Sequence, residues 1–118
     1  MKYEFQKWKG SSDRSHTQCP YVRFGRGNVL FMSTLFCDKL KSEQDRFSIY
    51  VDDEKRVIGF KSEADGTHRI RVTPAQFGMT TFVNEHKPVY GKRIYLEYGR
   101  KWEMWIGSLD GGKIPDLN

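Results

Sequence analysis

The stretch Arg46-Phe47-Ser48-Ile49-Tyr50-Val51, Asp52-Asp53-Glu54-Lys55, Arg56-Val57-Ile58-Gly59-Phe60-Lys61 alternates, turns and alternates again. Side chains on a strand point to opposite faces with a period of two. Phe47, Ile49 and Val51 therefore share one face, and Ser48 and Tyr50 the other. The acidic cluster Asp52-Asp53-Glu54 sits where a solvated turn is expected. Ile58 and Phe60 then return on one face. A β-hairpin turning at 52–55 is the centre of the fold reading.

Working back from this hairpin, Thr34 to Lys41 reads as a short helix with Ser33 as its N-cap. Leu35, Phe36 and Leu40 form its buried side. Two turns cannot hold themselves in water, so the helix needs tertiary packing. Before it, Asn28–Met32 reads as a buried strand. Pro20–Phe24 is another, with Val22 and Phe24 on one face and Tyr21 and Arg23 on the other. Gly25-Arg26-Gly27 makes the turn between them. Residues 2–8 alternate as well, and the polar loop 10–18 follows.

Working forward, His68–Val72 places Ile70 and Val72 inward and Arg69 and Arg71 outward. Pro74 opens a loop or a short turn of helix. Arg93–Tyr98 and Lys101–Ile106 form a second hairpin about Gly99-Arg100, read as a tight Gly-X turn. In it Trp102, Met104 and Ile106 share the expected core face, and Trp105 the outward one. Residues 108–118 have no periodicity and read as a flexible tail beyond a single β-rich domain, 1–107.

The 118 residues suffice for one domain with one core. Two cysteines, Cys19 and Cys37, make no disulfide framework. No signal peptide or membrane span is expected, which implies a cytoplasmic protein. The histidines His16, His68 and His86 are scattered. His16 and Cys19 lack a second pair at zinc-ligand spacing, so no metal or other cofactor is expected. Neither a phosphate-binding glycine loop nor a nucleophile elbow occurs. The chain reads as a binding protein rather than an enzyme.

Charge supplies the functional signal. The net charge is +5, and residues 1–26 carry a balance of +4 against −2 for 38–66. Such a balance favours anionic partners. Basic residues are interleaved with rings in three groups: Tyr3, Phe5, Lys7, Trp8 and Lys9; Tyr21, Arg23 and Arg26; Lys92, Arg93, Tyr95, Arg100, Lys101 and Trp105. Of these, Lys7, Lys9, Arg23, Arg26, Arg93 and Lys101 are the expected phosphate contacts, and Trp8, Tyr21, Tyr95 and Trp105 the expected stacking surfaces. Arg69 and Arg71 add two cations. Cations follow phosphates, and flat rings accept unstacked bases, so this mixture suits a single strand better than a duplex.

The order of strands 2–8, 20–24 and 28–32, helix 33–41, and strands 46–51 and 56–61 is that of an OB-fold barrel. The expected class is thus mainly β: a small OB-like barrel with one short helix and an additional C-terminal hairpin. With its length and its aromatic and basic faces, the chain resembles the small single-stranded DNA-binding proteins of phages, such as those of lactococcal phages. That resemblance implies single-stranded DNA as partner, a role in replication or recombination alongside other proteins of those processes, and the host cytoplasm. A homodimer or larger assembly is expected, because multivalency raises avidity. The run Gly27–Met32, helix and hairpin is also similar to swapped-hairpin, AbrB-type regulators, which bind duplex DNA. A protein-interaction module without nucleic acid is the third reading.

Overall fold

A computed structural model of the chain describes residues 4–6, 19–70 and 76–114. Lys7, Trp8, Lys9 and Arg71 lie outside the described residues, as do Val72 and the end of the expected tail. Glu4–Gln6 are exposed and belong to no strand.

The predicted central hairpin is present. Strand β3 (Arg46–Asp52) pairs with β4 (Val57–Ser62) in a register that sets Ile49 against Phe60 and Val51 against Ile58. Asp52 closes the turn by accepting the Lys55 backbone N–H at 3.1 Å. Upstream, β1 (Tyr21–Gly25) and β2 (Val29–Met32) form a hairpin. Its loop, Arg26-Gly27-Asn28, runs through positive φ at Gly27 (79°) and Asn28 (57°), where a bulky side chain would be strained. Helix α1 is Thr34–Lys41, with Phe36, Cys37 and Leu40 buried. Burial pushes the Cys37 thiol up to about 11, so it stays a neutral core group at ordinary pH.

The expected barrel is not closed. The strands separate into two antiparallel sheets, and the later strands decide their composition. These are β5 (His68–Arg69), β6 (Gln76–Gly78), β7 (Ile94–Tyr95), β8 (Glu97–Gly99) and β9 (Met104–Ser108). The first sheet has the order β6-β2-β1-β7 and the second β5-β3-β4-β9-β8. The chain passes from one sheet to the other across Leu96, whose N–H donates to the Pro20 carbonyl at 2.9 Å. Gly107 fits this corner: a Cβ there would stand 2.6 Å from Ile94 Cγ2.

The core lies between the inner sheet faces and α1. Phe36 packs edge-on to Phe60 at 5.3 Å, and Phe47 meets Phe77 of the other sheet at 5.4 Å. A second helix, α2 (Thr80–His86), stands where a loop or helical turn was expected, and its Phe82 stacks on Phe24 at 5.7 Å. Arg56 locks α2 in place. Its guanidinium donates to the His86 and Lys87 carbonyls and to Asp110 Oδ1. A cation at the last carbonyls of a helix also opposes the macrodipole.

Two boundaries differ from expectation. Leu109 is fully buried in the core and its carbonyl accepts from Val89, so packed structure continues past residue 107. The second C-terminal hairpin exists, but β8 and β9 pair as Gly99↔Met104. Its turn therefore spans Arg100–Glu103, with Glu103 at φ 56°, rather than the two residues of a tight turn.

Ser33 performs more than the predicted capping. Its Oγ accepts from Phe36 N at 3.3 Å and from Tyr21 N at 3.1 Å, joining helix α1 to strand β1. Replacing Ser33 with alanine leaves two backbone donors without their partner. We expect a loss of about 2 kcal/mol in urea unfolding, the upper end for an N-cap. Ser33→Asp should retain most of it.

Candidate nucleic-acid interface

Alternation along β1 sends Val22 and Phe24 into the core and Tyr21 and Arg23 to the solvent side, as the sequence predicts. Pairing then adds neighbours that lie far away in sequence. Tyr21 stands opposite Tyr95 of β7, and Arg23 opposite Phe31 of β2, which in turn faces Gln76 of β6. Directly opposed residues of an antiparallel pair share a face. One outer face therefore gathers Tyr95, Tyr21, Arg23, Phe31 and Gln76.

The side chains on this face touch. The Tyr21 and Tyr95 rings meet edge-on at 6.0 Å. Arg93 lies over the Tyr21 ring at 4.3 Å, and Arg23 over Phe31 at 4.6 Å. Gly25 makes room for the second pair, since a Cβ there would be 2.8 Å from the Phe31 ring. Each arginine–ring pair contributes about 0.5–1 kcal/mol at an exposed site, so these pairs also order the platform itself. Tyr95 keeps 44% of its surface exposed. Arg26 is exposed on the adjoining β1–β2 loop. Among the described residues, no carboxylate lies within ion-pair distance of Arg23, Arg26 or Arg93. Their charge is therefore available to an anion.

Four predicted site residues thus come together: Tyr21, Arg23, Arg93 and Tyr95, with Arg26 at the edge. The others do not join them. Arg69 pairs with Arg46 at the edge of the second sheet. Lys101 lies in the β8–β9 turn, its ammonium 5.3 Å from the Trp102 ring. Trp105, expected to face outward, is half-buried against the core. The pairing Phe60↔Trp105 gives it the inner phase, and its ring meets Phe36 at 6.1 Å and Tyr98 at 5.2 Å. Trp102, Met104 and Ile106, expected in the core, instead line a groove on the opposite side of that sheet.

Phe31 is the platform residue that sequence reasoning missed. Val29-Leu30-Phe31-Met32 is apolar throughout, so nothing in it marks which phase is outward. Tyr90 was missed too. It is 65% exposed and bridges to Phe24 beside the same sheet.

Comparison of the chain with protein-family models, curated proteins and solved structures gives no match.

Two other features bear on chemistry. His86 Nδ1 lies 2.7 Å from Asp53 Oδ1, and His68 Nδ1 lies 3.0 Å from Thr67 Oγ1. Burial holds the His68 imidazole below its ordinary pKa. Among the described residues, no group of three or more His, Cys, Asp or Glu side chains is arranged to hold a metal ion. No described helix is long and apolar enough to cross a membrane.

Proposed function

We propose that this protein binds single-stranded DNA with little sequence preference, through the outer face of the β6-β2-β1-β7 sheet. The observation that supports this reading is the platform itself. Three rings (Tyr21, Tyr95 and Phe31) alternate on one solvent face with two guanidiniums (Arg23 and Arg93) that have no carboxylate partner among the described residues. A strand laid across it stacks bases on the rings and sets phosphates against Arg23, Arg26 and Arg93. Stacking contributes about 1–3 kcal/mol per base and accepts any base, because every base has a flat face. The role we propose is protection or organisation of single strands in replication or recombination, by a cytoplasmic, self-associating, non-catalytic protein like the phage proteins it resembles. Lys7, Trp8, Lys9 and Arg71 belong to the proposed set on sequence grounds.

The test is fluorescence anisotropy with labelled oligo-dT and a duplex of equal length at equal salt. Tighter binding of oligo-dT is expected, with affinity falling as salt rises because counterions are released. Preference for the duplex would replace this reading with the swapped-hairpin one. Binding of neither would leave the protein-interaction reading.

A further inference from the structure

An open cleft of about 710 Å³ lies between β3 and β5 of the second sheet and β6 and α2 beside the first. Small-molecule sites run to roughly 300–1,000 Å³. Its walls are apolar at depth. Ile49 and Val51 of β3 line one side, and Met79, which precedes α2, and Phe82 within it line the other. Two imidazoles add hydrogen-bonding atoms. His68 stacks on Phe47 at 5.2 Å, and its Nδ1 is engaged with Thr67 Oγ1 at 3.0 Å, which leaves Nε2 to a ligand. Burial holds this imidazole below its ordinary pKa, so it is neutral near pH 7. His86 lies 4.6 Å from the Phe82 ring. Both of its nitrogens face carboxylates. Asp53 holds Nδ1 with oxygens at 2.7 and 2.9 Å, and Glu85 Oε2 stands 3.6 Å from Nε2. No lysine or arginine is among the described residues that line the cleft. Such a site repels a phosphate and suits a neutral flat group that stacks and shares hydrogen bonds.

One residue joins the cleft to the aromatic platform. Gly78 of β6 stands opposite Val29 of β2 and also lines the cleft. It is two residues from Gln76 of the platform, about 7 Å along a strand. A Cβ at Gly78 would meet nothing within 4 Å, so the way over this sheet edge is open. We infer that a single strand on the platform turns over the β6 edge at Gly78 and places one base in the cleft, with its phosphates left outside. The base lies against the apolar wall of Val51 and Phe82 and shares a hydrogen bond with His68 Nε2. This inference rests on the strand-binding reading of the platform and adds one nucleotide position to it.

Two measurements on the full chain test it. In the first, oligo-dT is added while the imidazole NMR signals of His68 and His86 are followed, and both signals should move. In the second, oligo-dT affinity is measured for Gly78→Leu, which obstructs the edge, and for Val51→Trp, which fills the cleft. Both positions are exposed and outside the core, and circular dichroism checks that each variant is folded. Each should bind oligo-dT roughly tenfold or more weakly, the value of one stacked base. The salt dependence should stay unchanged, because no phosphate contact is lost. Oligo-dT that binds the wild type without moving either imidazole signal overturns the inference and leaves the platform reading standing. So do two folded variants that bind like the wild type. A wild type that binds no oligo-dT overturns the platform reading, and this inference falls with it.

Discussion

Replacing Tyr21 and Tyr95 together with alanine lowers the affinity for oligo-dT by about 30-fold or more, while leaving the salt dependence of binding nearly unchanged. The two rings meet on one exposed sheet face, opposite each other in register. If each holds one base, their loss removes about 2–6 kcal/mol of stacking, and even the lower figure is a factor of about 30. The companion variant, Arg23→Ala/Arg93→Ala, behaves differently. Each phosphate neutralised on a single strand adds about 0.7 to the steepness of log K against log salt. Without the two guanidiniums the slope should therefore flatten by about 1.4. These groups also cover Phe31 and Tyr21, so their removal loosens the rings as well as the phosphates. Arg69→Ala is the control, because Arg69 lies at the edge of the other sheet. A titration of each variant across several salt concentrations separates the two contributions. If the double tyrosine variant is folded and binds like the wild type, the platform is not the site.

The parts of this structure that local pattern can specify were legible in the sequence. The hairpin of β3 and β4 carries clean alternation on both sides of an acidic turn. Helix α1 has its Ser33 cap, and β1 shows polar and apolar phases side by side. Tyr21 and Arg23 therefore share the outward face that the sequence assigns them, and Arg93 and Tyr95 join them only through the pairing of β7 with β1. What was not legible depends on pairing between distant segments. Strands β5 and β7 are two residues long, too short for any period to register. Yet β7 and β6 complete the first sheet and β9 extends the second, which is why separate sheets replace the expected barrel. The same limit explains the tryptophans. Trp102, Met104 and Ile106 share a phase that is as apolar as a core face, whereas Trp105 alternates with Met104 and Ile106 and follows Glu103. Local pattern assigns that apolar phase to the core. The partner β4 reverses it, because Phe60 sits opposite Trp105 and Gly59 opposite Ile106.

Phe60 is where the helix and the second sheet meet, and its removal should be the costliest single change in the core. It is fully buried. Its ring stands 5.3 Å from Phe36 of α1 and 6.2 Å from Phe47 of β3, and in register it faces Ile49 and Trp105. Phe60→Ala deletes a ring surrounded by other rings. These are anchored on three separate elements, so they cannot collapse together to fill the space. A buried Phe→Ala change of this kind costs about 3–5 kcal/mol, against a total stability of about 5–15 kcal/mol for an ordinary domain. The urea midpoint should fall steeply with an unchanged m-value, since the surface exposed on unfolding hardly differs. Phe60→Leu keeps most of the volume and should lose much less. The platform lies on the outer face of the other sheet, so Phe60→Leu should bind oligo-dT as the wild type does while unfolding at lower urea. A Phe60→Ala loss below about 1 kcal/mol, the scale of a single methylene, would mean that α1 and the second sheet do not share one core.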